Sequence, residues 1–268
     1  MSSPGPAPRW SCYIALGDSF TEGMWDADPD DPDHIRGWAD LLAGSLSARR
    51  TAAGLPTLEY ANLAVRGRLL RPIVTEQLPV ALEAEPGLIS LVGGGNDILR
   101  PGSDPDRMAD VLEGAVKRAR AAGADVLLAT GTDTRHGGLL RATRSRSALF
   151  NAHIWSIAQR HGAHVVDLWG MRALQDWRLW AQDRIHLTTE GHQRVAQAAL
   201  VALGLEPDDA KWSDPLAAMP PVTTTERLRA DFEWLRRDVY PWATRRFHRR
   251  SSDDERVPKR PVVHPVDH

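Results

Sequence analysis

"CYIALGDSFTEG", residues 12–23, sets a short apolar run against a cluster of glycine, aspartate and serine. The run 12–16 is continuous rather than alternating, which is the pattern of a strand buried on both faces. Turn chemistry comes directly after it: Gly17, Asp18 and Ser19 are residues that leave a strand easily. The same sequence of events recurs along the chain. "LEYANL" (58–63), "LISLVG" (88–93), "DVLLAT" (125–130) and "AHVVDL" (163–168) are further short apolar runs bounded by Gly, Asp or Asn. Between them, 37–50, 68–83, 106–123 and 146–162 carry apolar residues at helical spacing, and 191–205 forms a last helix with Thr188 or Thr189 as N-cap. Gly123 and Gly162 stand where helix C-termini favour a left-handed residue. Alternating buried strands and helices give an α/β fold, with a parallel sheet covered by helices on both faces.

In sheets of this kind ligands bind beyond the carboxyl ends of the strands. Four polar features fall there: Ser19 after the first strand, "NLAVRG" with Gly67 after the second, "GGGND" with Asn96 and Asp97 after the third, and "DRIH" with Asp183 and His186 after the fifth. Together they meet the requirements of acyl transfer. A serine hydroxyl needs a base, which His186 supplies, and an imidazole needs a carboxylate to fix its tautomer, which Asp183 supplies. The developing oxyanion needs donors. The Ser19 and Gly67 backbone N–H groups and the Asn96 amide are the candidates; glycine leaves room for substrate, and an amide donates without titrating.

These blocks resemble those of the SGNH hydrolase superfamily, the GDSL-type esterases and lipases. "GDSFTEG", "NLAVRG", "GGGND" and "DRIHLTTEGH" follow the family order across residues 17–192, with Phe20 in place of the leucine that gives the GDSL family its name. The resemblance implies Ser19 as nucleophile, Asp183 and His186 as the rest of a catalytic triad, and Ser19, Gly67 and Asn96 as the oxyanion hole. It implies a flavodoxin-like three-layer α/β/α sandwich with five parallel central strands, and no cofactor or metal. No G-x-S-x-G elbow of the α/β-hydrolase kind surrounds a candidate serine. Neither H-E-x-x-H nor a Cys/His cluster supports zinc, and 93–95 does not make a dinucleotide-binding G-x-G-x-x-G.

The expected function is therefore a serine hydrolase of carboxylic esters, of esterase/lipase or O-deacetylase type, with a small-molecule ester substrate and an acyl-enzyme on Ser19. An acyltransferase using the same acyl-enzyme is the alternative, and a non-catalytic carbohydrate- or lipid-binding module is the rival from another class. The absence of a long apolar lid segment favours small or medium acyl groups. The formal net charge of -2 gives no bias towards nucleic acid. A single cysteine, Cys12, excludes an internal disulfide and fits a reducing compartment. The N-terminus lacks the apolar segment of a secretory signal, and no stretch approaches the roughly 18–20 apolar residues of a membrane span, so a cytoplasmic location is expected. Oligomeric state is not legible.

Three loops, 24–37, 98–105 and 131–147, are expected to shape the pocket. Among ten tryptophans, Trp25, Trp169, Trp177 and Trp180 lie close in sequence to its mouth or to the triad loop, to stack on a sugar or acyl chain or to cap the core. Asp18 and Asp97 read as braces for their loops, Arg66 as a loop-surface arginine, and His192 as structural. The hydrolase domain is expected over 1–205, a Pro-rich linker and packed helix over 206–245, and a disordered tail over 246–268. The helix carries the stripe Leu228, Phe232, Leu235 and Val239; from 226 to 260 eleven Lys/Arg face seven Asp/Glu, too slight an excess to call for a nucleic-acid partner.

Overall fold

The computed structural model describes residues 7–27, 35–217 and 256–266. The five expected strands are present as β1 (Cys12–Gly17), β2 (Glu59–Asn62), β3 (Leu88–Val92), β4 (Asp125–Ala129) and β5 (His164–Val166). They pair in parallel, with β1 between β2 and β3, so the strand that leads into Ser19 lies inside the sheet. Alternate residues supply two cores. Tyr13, Ala15, Leu127 and Ala129 face one core with α2 (Trp38–Ala52) and α8 (Thr189–Ala202). Ile14, Leu16, Val126 and Leu128 face the other, with α6 (Pro105–Ala121) and α7 (Arg144–His161). This is the expected three-layer sandwich.

The strand count differs from expectation. A sixth strand, β6 (Arg260–Pro265), pairs antiparallel with β2 at the sheet edge. It lies within the stretch read as a disordered tail. Charge and proline content point to disorder, but Val262 and Val263 suit a strand, and an edge position tolerates Pro261 and Pro265 because one row of backbone groups faces away from the ladder. The expected helix with its Leu228 to Val239 stripe lies outside the described residues, as do 246–255. Of the linker, Trp212 and Leu216 pack against the α2/α8 core.

The helix expected over 68–83 is divided into α3 (Leu70–Pro72), a π-helical turn (Ile73–Gln77) and α4 (Leu78–Glu83). Pro79 has no N–H to offer the preceding turn, and the Leu78 N–H bonds back to Ile73 O, so one extra residue is accommodated in the coil. The bulge aims Gln77 at the sheet, where its amide accepts from the Gly17 N–H at 2.8 Å and donates to Gly17 O at 2.9 Å.

Beyond Gly17 the chain enters α1 (Ser19–Glu22), capped by the Asp18 side chain and closed by Gly23 at φ 93°. Gly23 lies back to back with Gly37, which starts α2 at φ 97°. A Cβ on Gly23 would stand 2.6 Å from the Arg36 carbonyl carbon. Gly23→Ala therefore combines left-handed strain of about 1–2 kcal/mol with a backbone collision. Urea denaturation should show a loss of at least about 2 kcal/mol; a loss below about 0.5 kcal/mol, the level of an ordinary surface substitution, would contradict this packing.

Candidate active site

The first turn of α1 fixes Ser19. Asp18 accepts the Phe20 N–H at 3.1 Å through one carboxylate oxygen and an Asn96 Nδ2 hydrogen at 3.1 Å through the other. Asn62, at the end of β2, donates to Thr21 O at 3.0 Å. Arg66 is no free surface arginine: its backbone N–H bonds Glu22 Oε2 at 2.7 Å and its guanidinium grips the same carboxylate. The loop after β2 is thereby tied to the serine turn. Asp97, on the short helix α5 (Gly95–Ile98) that follows β3, accepts the Leu70 N–H at 2.9 Å and so ties this turn to α3. Both aspartates brace loops, as expected.

Asp183 and His186 come from a loop pinned at its base by Ala181 N–H to His186 O and Thr188 N–H to Leu179 O. Arg184 takes a left-handed φ of 56°, an uncommon state for a bulky residue that needs surrounding support. The turn lets Asp183 Oδ1 accept the N–H groups of Ile185 and His186, each at 3.0 Å. Its Oδ2 lies 2.6 Å from His186 Nδ1, and His186 Nε2 lies 2.8 Å from Ser19 Oγ. Asp183, His186 and Ser19 thus form one continuous chain of hydrogen bonds.

Of the other expected donors, Asn96 lines the same cavity as Ser19 and His186, whereas Gly67 is not among the residues that line it. Asn96 Nδ2 directs its two hydrogens at Asp18 Oδ2, 3.1 Å away, and at Arg68 O, 3.0 Å away. Gly67 immediately precedes Arg68, at φ 80° in a turn closed by Arg68 N–H to Val65 O. The Ser19 and Gly67 N–H groups make no hydrogen bond among the described residues.

The two carboxyls have opposite electrostatics. Burial raises the Asp18 carboxyl to about 6, against the pull of the Phe20 N–H bond. Burial pushes Asp183 up as well, but the His186 side-chain bond and charge outweigh it and hold it below its ordinary value. Linkage gives the signs. Asp18 contributes stability while protonated and loses it as pH rises through about 6. Asp183 contributes stability above the ordinary carboxylate range and loses it on acidification. His192 accepts the Trp38 N–H on Nδ1 at 3.3 Å and meets Met24 O through Nε2 at 3.2 Å. One nitrogen accepting and one donating requires a neutral ring, and burial duly lowers it to about 4. Cys12, half-buried, has its thiol pushed up to about 11 by burial and by Glu59, the opposite of an activated nucleophile.

Ser19, Asn96 and His186 open into a cavity of about 230 Å³. The loop 131–147 forms much of its wall, as expected. The loop 98–105 contributes only Ile98 and Leu99, and no described residue of 24–37 lines it. Trp177 and Trp180 line it; Trp169 instead lies under Arg144, 5.2 Å from guanidinium carbon to ring centre.

Trp25 has a role the sequence did not disclose. At φ 71° and half exposed, it donates Nε1–H to Asp183 Oδ2 at 2.9 Å. Gln77 is likewise invisible in the sequence as a site residue. Nothing in their sequence neighbourhoods names a partner so distant.

The family assignment agrees with this geometry. The chain belongs to the GDSL-like Lipase/Acylhydrolase family, whose pattern matches residues 15–194. It is an esterase-type hydrolase. No curated protein sequence matches it. Among solved structures it is similar to LAE5, an alpha/beta hydrolase enzyme from the metagenome of Lake Arreo, at 25% identity and TM-score 0.60, over 72% of this chain and 95% of that one. It shares its fold with the acetylxylan esterase Axe2 of Geobacillus stearothermophilus, at 20% identity and TM-score 0.61, over 73% and 95%. The esterase EstA of a Pseudoalteromonas species matches at 19% and 0.55, over 72% and 97%.

Trp25→Phe keeps the ring and removes the bond to Asp183. With ester substrates, kcat should fall about three- to tenfold, the scale of one ordinary hydrogen bond of about 0.5–1.5 kcal/mol made by a half-exposed donor, with KM and melting temperature nearly unchanged. An unchanged kcat would show that the bond does not position the carboxylate.

Proposed function

We propose that the protein hydrolyses carboxylic esters of medium-length aliphatic acids through an acyl-enzyme on Ser19. The observation that carries the reading is the Asp183–His186–Ser19 hydrogen-bond chain, 2.6 and 2.8 Å, ending at the mouth of a largely apolar cavity. Ser19 Oγ attacks the acyl carbon as His186 Nε2 takes its proton, and Asp183 holds the Nδ1–H and stabilises the imidazolium. The oxyanion is met by the Ser19 and Gly67 N–H groups and by Asn96 Nδ2. His186 returns the proton to the leaving alcohol, and water then attacks the acyl-enzyme with His186 again as base.

The cavity supports the choice of acyl group. Phe150, Ile154, Leu168 and Leu174 are buried side chains that line it. Polar groups are present on the loop after β4, where Thr130 and Asp133 line the wall. Asp133 is engaged by Arg144 and Arg135, and the Arg144 bond, chiefly, lowers its carboxyl to about 2. With this carboxylate paired, the wall offers a substrate chiefly buried apolar side chains, which suit an aliphatic chain; Thr134 Oγ1, buried without a partner among the described residues, leaves one polar contact.

Chain-length kinetics on p-nitrophenyl esters test the proposal. Each added methylene that enters the cavity should raise kcat/KM about fourfold from acetyl upward, matching about 0.8 kcal/mol per buried CH₂. Asn96→Ala should lower kcat by roughly 10²–10³, and Ser19→Ala should abolish turnover. A preference for acetyl over hexanoyl esters would overturn the acyl assignment; activity surviving in Ser19→Ala would overturn the mechanism.

A further inference from the structure

The C-terminal segment reaches the serine turn. Lys259 Nζ donates to Glu22 O at 2.5 Å, to Ile35 O at 3.0 Å and to Arg36 O, and pairs with Asp40 Oδ2 at 2.6 Å. Its side chain is only 11% exposed. Four oxygens converging on a buried ammonium make a specific seat, because a charge taken out of water needs this degree of compensation. The bonds run between residues as far as 237 positions apart.

What Lys259 holds is the end of α1. Glu22 O is an orphan carbonyl at the C-terminus of a four-residue helix whose first residue is Ser19. So short a helix has no rigidity of its own, and its two ends set where the hydroxyl points. Asp18 fixes the N-terminal end. At the other end, Gly23 and Met24 N–H both bond to Ser19 O, and Gly23 packs on Gly37. Lys259 binds the carbonyls on both sides of that contact, Glu22 from one stretch of backbone and Ile35 and Arg36 from the other. The next residue, Arg260, opens β6 opposite Asn62, the same Asn62 that holds Thr21 O. The segment therefore grips α1 from two directions, and it lies wholly beyond the matched family region, 15–194.

We propose that Lys259 is a positioning residue for Ser19, and that the C-terminal strand is a working part of this active site in addition to the family core. The proposal rests on the reading of Ser19 as nucleophile.

The test uses the full-length chain with Lys259→Met, Lys259→Arg and, in parallel, Ser19→Ala. Turnover of a p-nitrophenyl ester, the rate of phosphonylation by a fluorophosphonate, and thermal unfolding are measured on each. Lys259→Met should unfold cooperatively and keep KM within about twofold, while kcat and the phosphonylation rate fall by about tenfold or more, as small displacements of a reacting group do. Lys259→Arg, which retains the cation, should recover part of the loss. A folded Lys259→Met, or a folded Lys259→Arg where Met does not fold, with kcat within about twofold of the parent overturns the proposal. Failure of both variants to fold also overturns it, since Lys259 would then determine the fold and not the placement of Ser19. Full activity in Ser19→Ala would instead defeat the nucleophile reading on which the proposal rests.

Discussion

The hydrogen bond between Ser19 Oγ and His186 Nε2 joins residues 167 positions apart, and its 2.8 Å length leaves little tolerance on either side. The architecture around it holds two loops in register. On the serine side, β1 lies between two parallel neighbours, and the Gln77 amide closes off Gly17 where the strand leaves the sheet. Asp18, Asn62, Glu22 and Lys259 then fix the turn beyond it. On the histidine side, the loop is pinned at its base and takes its shape from Asp183 folding back on two backbone N–H groups. Trp25 joins the two sides directly, running from the segment after α1 to the Asp183 carboxylate.

Burial raises the cost of every charge in this region, and the partners decide how each is met. Asp183 keeps its ionised form because the imidazole and two backbone N–H groups compensate it. Asp18 has fewer compensating donors and its carboxyl moves up to about 6. His192 satisfies both ring nitrogens with backbone groups and stays neutral. The histidine beside the serine and the one buried behind it thus differ in what their nitrogens face: a hydroxyl and a carboxylate for His186, an N–H and a carbonyl for His192.

The sheet is legible in the sequence because a strand buried on both faces leaves an unbroken apolar run, as at 88–92 and 125–129. The residues of the site are legible because each comes after such a run, and Ser19, Asn96, Asp183 and His186 do lie together. Contacts decided by tertiary geometry are not. Gln77 reaches Gly17 from a π-turn over Ile73–Gln77, and Lys259 reaches its carbonyls at the start of β6, which adds to an edge strand far away in the chain. Composition describes that last segment as charged and proline-containing; its order comes from a partner that composition does not contain. From its position after the serine, Trp25 is expected to stack on a substrate or to cap the core, whereas the left-handed backbone turns its indole to the Asp183 carboxylate.

The central claim is that one serine, activated by His186, is the acylation site. Mass spectrometry of the intact chain after treatment with a fluorophosphonate, followed by peptide mapping, tests it most directly. The account predicts a single adduct, on the peptide containing Ser19, with labelling that stops when His186 is replaced by alanine. An adduct on any other residue, or undiminished labelling of His186→Ala, would contradict it.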